Sequence, residues 1–323
     1  MLYRMLVALY LMGFGLFGQM APRALAQSWP ERPVKIILPY APGGATDAIG
    51  RPWADKLTQA FGQPFVIENR GGASGAIGVE AAVKSTPDGY TFLLTPNSAI
   101  AIVPQLRKVN YEAVKDLEPV GRVGDIVGGF VVHPSVGVKT MQELVAYAKK
   151  NPGKLQFGTP GLGTSVHLRL EMLKLRAGLD IQNVPYRGSA DALNDLLPGN
   201  VQMMNEIVVF PHVKAGKLIL LAINHGERHW DFPDVPTLTE AGIKDADVPI
   251  WFAMFAPKGT PKDIIAKFNA KMTEIARTDD LKTKMRAIGV SVPVQTPEEL
   301  GKHLANDLKA NLEVIKAANI KLE

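Results

Sequence analysis

The residues best placed to do chemistry sit in glycine turns. The apolar run that begins at Val34 ends in Tyr40-Ala41-Pro42-Gly43-Gly44, and Thr46-Asp47 then opens a helical pattern. A turn of this kind between a strand and a helix leaves backbone N–H groups free. It also points the positive end of the helix into the turn, which suits an anion. Two further turns are rich in glycine, "NRGGASGAIG" (69–78) and "GTPGLGTSVH" (158–167). In open parallel sheets ligands collect outside the carboxyl ends of the strands, where such turns cluster. Three turns in equivalent positions argue for a shared anion site made of Gly43, Gly44, Ser74, Thr159, Gly163, Thr164 and Ser165. Uncharged donors hold a carboxylate well once water is excluded, and a cleft closing between two lobes would exclude it.

Competing chemistries are poorly provided for. A phosphate loop G-x-x-x-x-G-K-[ST] is absent, and no G-x-G-x-x-G follows a strand. "Gly72-Ala-Ser74-Gly-Ala76" resembles a serine nucleophile elbow but ends in alanine, and none of the six histidines is marked out as its base. His225 and His229 stand four apart, a metal spacing only if that segment is helical, and the surrounding sequence reads as a loop. Asp47 and Asp191 offer an acid and a base, but Asp47 is equally suited to stabilising a helix start. His133, His212 and His303 read as surface or packing positions. The expectation is a binding protein with no catalytic residue, metal or cofactor.

Composition narrows the setting. Arg4 precedes an apolar stretch of roughly a dozen residues, and Ala24-Leu25-Ala26 supplies small residues for cleavage after Ala26, the layout of a secretory leader. The stretch falls short of the ~20 residues a spanning helix needs. With no cysteine, disulfides, thiolate ligands and cysteine nucleophiles are excluded, as is thioether lipidation. Two charges of the net +5 (Arg4, Arg23) lie in the expected leader, and the remainder is scattered, so no nucleic-acid footprint emerges. An unanchored secreted protein that serves its own cell points to the periplasm.

The elements that must position these turns alternate between strands and helices. "VKIILPY", "FVIENR" and "YTFLLT" read as strands around helices at 46–61 and in "AIGVEAAVK". The pattern restarts with "KLQFGT", "SVHLRLEMLKLRAG", "IQNVPYRG", "SADALNDLLPG", "VQMM" and "LILLAIN". Thr140/Glu143 and Thr296/Glu299 fit capping boxes, and Thr260-Pro261 reads as a further helix start. Pro52 lies inside the first helix and should kink it or shorten its first turn. Stretches 128–135 and 248–260 read as crossings between two α/β units. The expected division is a leader (1–26), a first lobe (27–130), an inserted second lobe (131–249) and the remainder of the first lobe (250–323).

The mature chain resembles the tripartite tricarboxylate transporter substrate-binding proteins, the Bug family of periplasmic receptors. The resemblance runs from "WPERPVKIILPYAPGGATD" through "GQPFVIENRGGASGAIG", "TPDGYTFLL", "NPGKLQFGTPGLGTSVHL", "VPYRG", "AGKLILLAI" and "PDVPTLTEAG" to "APKGTP". It implies a type II periplasmic-binding-protein fold, with two α/β lobes, two crossover strands and a small organic acid enclosed between them. It also implies delivery of that acid to membrane permease subunits by a monomeric receptor. By resemblance, Ala41, Pro42, Gly43, Gly44 and Asp47 form the carboxylate turn, while Ser74, Thr95 and Asn97 line the first lobe. Thr159, Gly163, Thr164, Ser165 and His167 would line the second, and Tyr186, Gly188 and Ser189 would close over the ligand. One departure stands out. Relatives tend to read apolar-Phe-Asp after the strand, where this chain has Asn205-Glu206, and Glu206 stands either in the pocket or on the surface. The same clamshell would also serve a sensory receptor that signals to a membrane kinase; a serine hydrolase built on Ser74 is the remaining alternative.

Overall fold

The computed structural model describes residues 29–320, so the leader and the cleavage expected after Ala26 lie outside the described residues. Strand β1 (Val34–Leu38) is buried except at Lys35 and pairs in parallel with β2 (Phe65–Asn69) and β3 (Thr91–Pro96). Helices α1 (Ala45–Phe61) and α2 (Ala76–Val83) make the crossovers. The antiparallel strand β4 (Leu117–Ile126) belongs to the same sheet. The second sheet contains β5 (Gly128–Val132), β6 (Gln156–Thr159), β7 (Gln182–Pro185), β8 (Met203–Met204) and β9 (Ile219–Asn224), in the order β7-β6-β8-β5-β9. It carries α3 (Met141–Lys150), α4 (Ser165–Ala177) and α5 (Ser189–Leu196). The chain then returns with β10 (Trp251–Pro257) and β11 (Val290–Ser291) to complete a six-stranded sheet, β11-β4-β10-β3-β1-β2. Three helices close the described chain: α6 (Lys262–Ala276), α7 (Asp279–Ala287) and α8 (Pro297–Ala317).

The crossings are shorter than their apolar sequence suggests. β4 ends at Ile126, and Gly128 already pairs with Asn224 in the second sheet, so the first passage takes a single residue, Val127. The boundary expected after residue 130 therefore falls inside β5. β5 lies so close to β9 that a Cβ on Gly129 would be 2.5 Å from Leu220 Cδ1 and 2.8 Å from the Ala222 carbonyl oxygen. The two passages are tied together where the Ile126 N–H donates to the Ile250 carbonyl at 2.9 Å.

Most local signals act as written. Both capping boxes form, at Thr140/Glu143 and Thr296/Glu299. α1 runs from Ala45 through Pro52 to Phe61 as one helix, so Pro52 does not shorten its first turn. Thr260 does not cap α6; its hydroxyl donates to the Pro257 carbonyl and Pro261 takes the cap position. A further apolar seam joins Leu168 and Met172 of α4 to Ile102, Val248 and Ile315, so the last helix braces the second lobe.

The first lobe's core centres on Phe268, fully buried and edge-on to Phe92 at 4.4 Å, with Phe61 and Phe65 beside it. Truncating a buried aromatic costs about 3–5 kcal/mol through lost transfer energy and the cavity left behind. Phe268→Ala is expected to lower the urea midpoint accordingly, with an unchanged slope.

Candidate functional site

Two helix starts meet where the lobes face each other. α1 begins after Gly44 and α5 after Gly188, and neither N-cap supplies a side-chain hydrogen bond. The first-turn N–H groups of a helix have no intrahelical acceptor, so both ends present unsatisfied donors and a positive dipole end. They are close: a Cβ placed on Gly44 would lie 3.6 Å from the Ser189 nitrogen and 3.6 Å from its Oγ. α4 differs, because Thr164 caps it by accepting from the His167 N–H. The turn before α1 is held by Asp47, whose Oδ2 accepts from the Gly43 N–H at 3.1 Å and from Arg51 at 2.8 Å. Asn69 donates to the other oxygen. Gly43 sits at φ 79, a conformation that favours glycine, so the turn is built for backbone approach.

Between these ends lies a cavity of about 30 Å³, lined by Tyr40, Gly44, Ser165, Ser189 and Glu206 and by apolar Ile126, Ile250 and Phe252. It is continuous, through Tyr40, Ala41 and Pro160, with an open groove of about 1140 Å³ bordered by Ser74, Tyr186, Arg187 and Asp191. Glu206 is buried (4% exposed) and accepts from the Ser189 hydroxyl at 2.9 Å. Burial pushes its carboxyl up to about 7, against the pull of Ser189 and Arg169. Arg169, 1% exposed, donates to the Val248 carbonyl and the Asn205 side chain. Its own value is pushed down to about 10 by burial.

The residues singled out in the sequence divide into groups. Ala41, Gly44, Thr164, Ser165, Ser189 and Glu206 line the small cavity or its mouth, so Glu206 is not at the surface. Pro42, Ser74 and Tyr186 border the outer groove. The others stand behind these walls with their groups already engaged. The Gly163 N–H donates to His167 Nδ1, and the Thr159 hydroxyl donates to Asn183. The Thr95 hydroxyl donates to the Pro96 carbonyl; Gly188, by contrast, faces Ala41 at the cavity mouth as the uncapped start of α5. Gly43, Asp47, Asn97 and His167 brace the wall without lining the cavity. Sequence reasoning overlooked Tyr40, whose hydroxyl donates to the Ser74 carbonyl beside Ser98; an aromatic directly before the glycine turn was the available signal.

The rival chemistries find no geometry. The Ser74 hydroxyl donates to the Leu162 carbonyl at 2.6 Å instead of meeting an imidazole. The segment around His225 and His229 is not helical, and His229 is packed against Phe210, Trp230 and Phe232. Among the described residues no cluster of three or more His, Asp or Glu is arranged to hold a metal.

Ser74 donates to the Leu162 carbonyl and Ser165 Oγ donates to Asn97 Oδ1 at 2.9 Å across the cleft, and Trp230 Nε1 donates to the Arg286 carbonyl elsewhere between the lobes. Asn97 in turn donates to Asp307 on α8 and to the Pro249 carbonyl in the return passage. Beside that passage Trp251 lies between Arg122, 4.7 Å above its ring, and His303, edge-on at 5.0 Å. Each neutral hydrogen bond is worth about 0.5–1.5 kcal/mol net. The Ser74→Ala/Ser165→Ala double variant is therefore expected to shift the unliganded protein toward open forms, seen as a larger radius of gyration in X-ray scattering. Burial, helped by Arg122, pushes His303 down to about 4. Below about pH 6.5 an unfolded histidine gains a proton that folded His303 refuses, so stability falls as pH drops from there toward 4. Melting temperatures across that window should fall less steeply in His303→Phe.

Residues 49–320 match the family described as tripartite tricarboxylate transporter family receptor. Protein BugT of Bordetella pertussis is 35% identical over 305 residues, covering 92% of this chain and 93% of BugT. Among solved structures, R. palustris Rpa4515 with adipate superposes with a TM-score of 0.88 at 32% identity, covering 91% of this chain and 99% of that one. MatC from Rhodopseudomonas palustris with bound malate gives 0.84 at 28% identity, covering 89% and 100%. The paired α/β lobes, the two passages between them and the glycine turns at the cleft are the type II periplasmic-binding-protein fold of this group. The chain belongs to the tripartite tricarboxylate transporter receptor family, as a periplasmic solute-binding protein.

Proposed function

We propose that this protein captures a small organic acid as its carboxylate by closing its two lobes and hands it unaltered to the membrane permease subunits of a tripartite tricarboxylate-type transporter. The observation that carries this reading is the meeting of two helix N-termini without side-chain caps, one from each lobe, at a buried cavity. A carboxylate between Gly44 and Ser189 takes N–H donors from both lobes when they are shut and from one when they are open. That differential contact is what a ligand needs to drive closure. The space between the two helix ends is narrow, so the lobes part to admit the acid and reclose around a wider space. The relatives holding adipate and malate make linear dicarboxylates the first candidates. The receptor acts as a monomer in the periplasm after cleavage of its leader behind Ala26.

Adipate, malate and nicotinate, added to unfolded and refolded protein, test the reading by thermal denaturation. Stabilisation by a cognate acid should grow with the logarithm of its concentration, reaching about 2.7 kcal/mol at a hundredfold excess over Kd. Gly44→Val fills the approach to Ser189 and should abolish the shift while leaving the unliganded melting temperature within a few degrees. Absence of any shift with all three acids, or an undiminished shift in Gly44→Val, overturns the proposal.

A further inference from the structure

The cavity built for a negative ligand contains a negative group of its own. Glu206 enters it in extended backbone (φ −154, ψ 155) directly after β8 and Asn205. Its Oε1 is held by Ser189, the first residue of α5, so the carboxyl shares a helix end with the proposed carboxylate site. Its Oε2 is buried and has no hydrogen-bond partner. A buried oxygen left unpaired costs stability unless something completes it, and such groups in native proteins call for an explanation.

The surroundings do not supply an ion pair. Arg169 on α4 faces this region, but its Nε is given to Val248 and its Nη1 to Asn205, and it forms no salt bridge with Glu206. Its charge is felt by Asp247 as well as by Glu206. From the turn after β1, Tyr40 presents a phenol that burial keeps neutral well above the usual range. The Ile207 N–H favours the ionised form of Glu206, yet burial outweighs it and the carboxyl stays near 7. Adding an organic acid places a second carboxylate in the same enclosed space. Two carboxyls sharing one site do not both ionise; one of them takes a proton.

We propose that Glu206 is the group that sets ligand class in this cleft: it is protonated in the liganded state and donates through Oε2 to a carboxylate oxygen of the bound acid. Where Glu206 is ionised in the empty cleft, capture thereby takes up a proton from solvent, and no other bond is made or broken. The O–H···O⁻ hydrogen bond is charge-assisted and completes the unpaired oxygen. A ligand presenting an ammonium or amide N–H at that point would instead need Glu206 ionised and would release a proton. The cleft therefore favours acids carrying a carboxylate there. This inference rests on the receptor reading above and adds a proton to it.

Calorimetry separates the two. The probe is whichever of adipate, malate and nicotinate stabilises the protein most, titrated at pH 6, 7, 8 and 9 in buffers of differing ionisation heat. The expected result is uptake approaching one proton per site above pH 7 and a Kd that rises about tenfold per pH unit there. Glu206→Gln keeps a donor that does not titrate, so it should bind with a Kd independent of pH and no proton uptake. Glu206→Asp, which retains an ionisable group, should keep the uptake and serves as the control should the glutamine variant fold poorly. Binding with proton release, or with no pH dependence in the native protein, overturns the proton-sharing role and leaves the carboxylate receptor standing. Loss of binding in folded Glu206→Gln likewise overturns it. Failure of all three acids to bind at every pH overturns both.

Discussion

A negative charge can be taken out of water only if dipoles or cations replace the water, and that constraint shapes this molecule. For the carboxylate site proposed above, those dipoles are the starts of α1 and α5, each left without a side-chain cap and brought to within a few ångströms of the other. Capping either helix in the ordinary way, with a serine or aspartate at Gly44 or Gly188, would stabilise that helix by only about a few tenths of a kcal/mol and consume the donors. The glycines thus trade local helix stability for an open anion site. Asp47, Arg51 and Asn69 then spend their charges and hydrogen bonds on fixing the turn instead of on the cavity.

Placing the two helix starts on different sheets converts a static site into a moving one. The lobes are linked at Val127 and at the residues just before Trp251, and the Ile126–Ile250 hydrogen bond ties these two passages together. Asn97 connects that region to the cleft: the same side chain receives the Ser165 hydroxyl across the interface and holds Pro249 and Asp307. The apolar seam from Leu168 and Met172 to Ile315 adds a second brace on the far helix. Closure is therefore read by hydrogen bonds and packing at once. The hydroxyls of Ser74 and Ser165 serve that closure here, each donating to the opposite lobe.

Glu206 and Arg169 form the least ordinary part of the wall. Both are buried, both are shifted toward neutrality by burial, and they influence each other through space without a direct contact. A pair arranged in this way leaves the cavity's charge responsive to what enters it, which a tight salt bridge would not allow.

Much of the architecture was legible before any coordinates. The strand and helix order, both capping boxes and the three glycine turns follow from periodicity and local chemistry, which act over a few residues. The turn proposed to hold the carboxylate was recognisable as a strand-to-helix turn for the same reason, since Pro42-Gly43-Gly44 and Asp47 lie within one loop and one helical turn. What local pattern could not decide was which donors remain free. Gly163 and Thr159 look as available as Gly44 in sequence, yet His167 and Asn183 engage them once the second lobe is packed. Nor could it place Glu206, whose burial depends on β8 lying in the middle of the second sheet and on α5 arriving beside it. Sequence determined the elements and their glycine starts, because those obey short-range sterics. Tertiary structure alone decided which polar groups face the cavity, because hydrogen-bond satisfaction is settled by neighbours tens to hundreds of residues away.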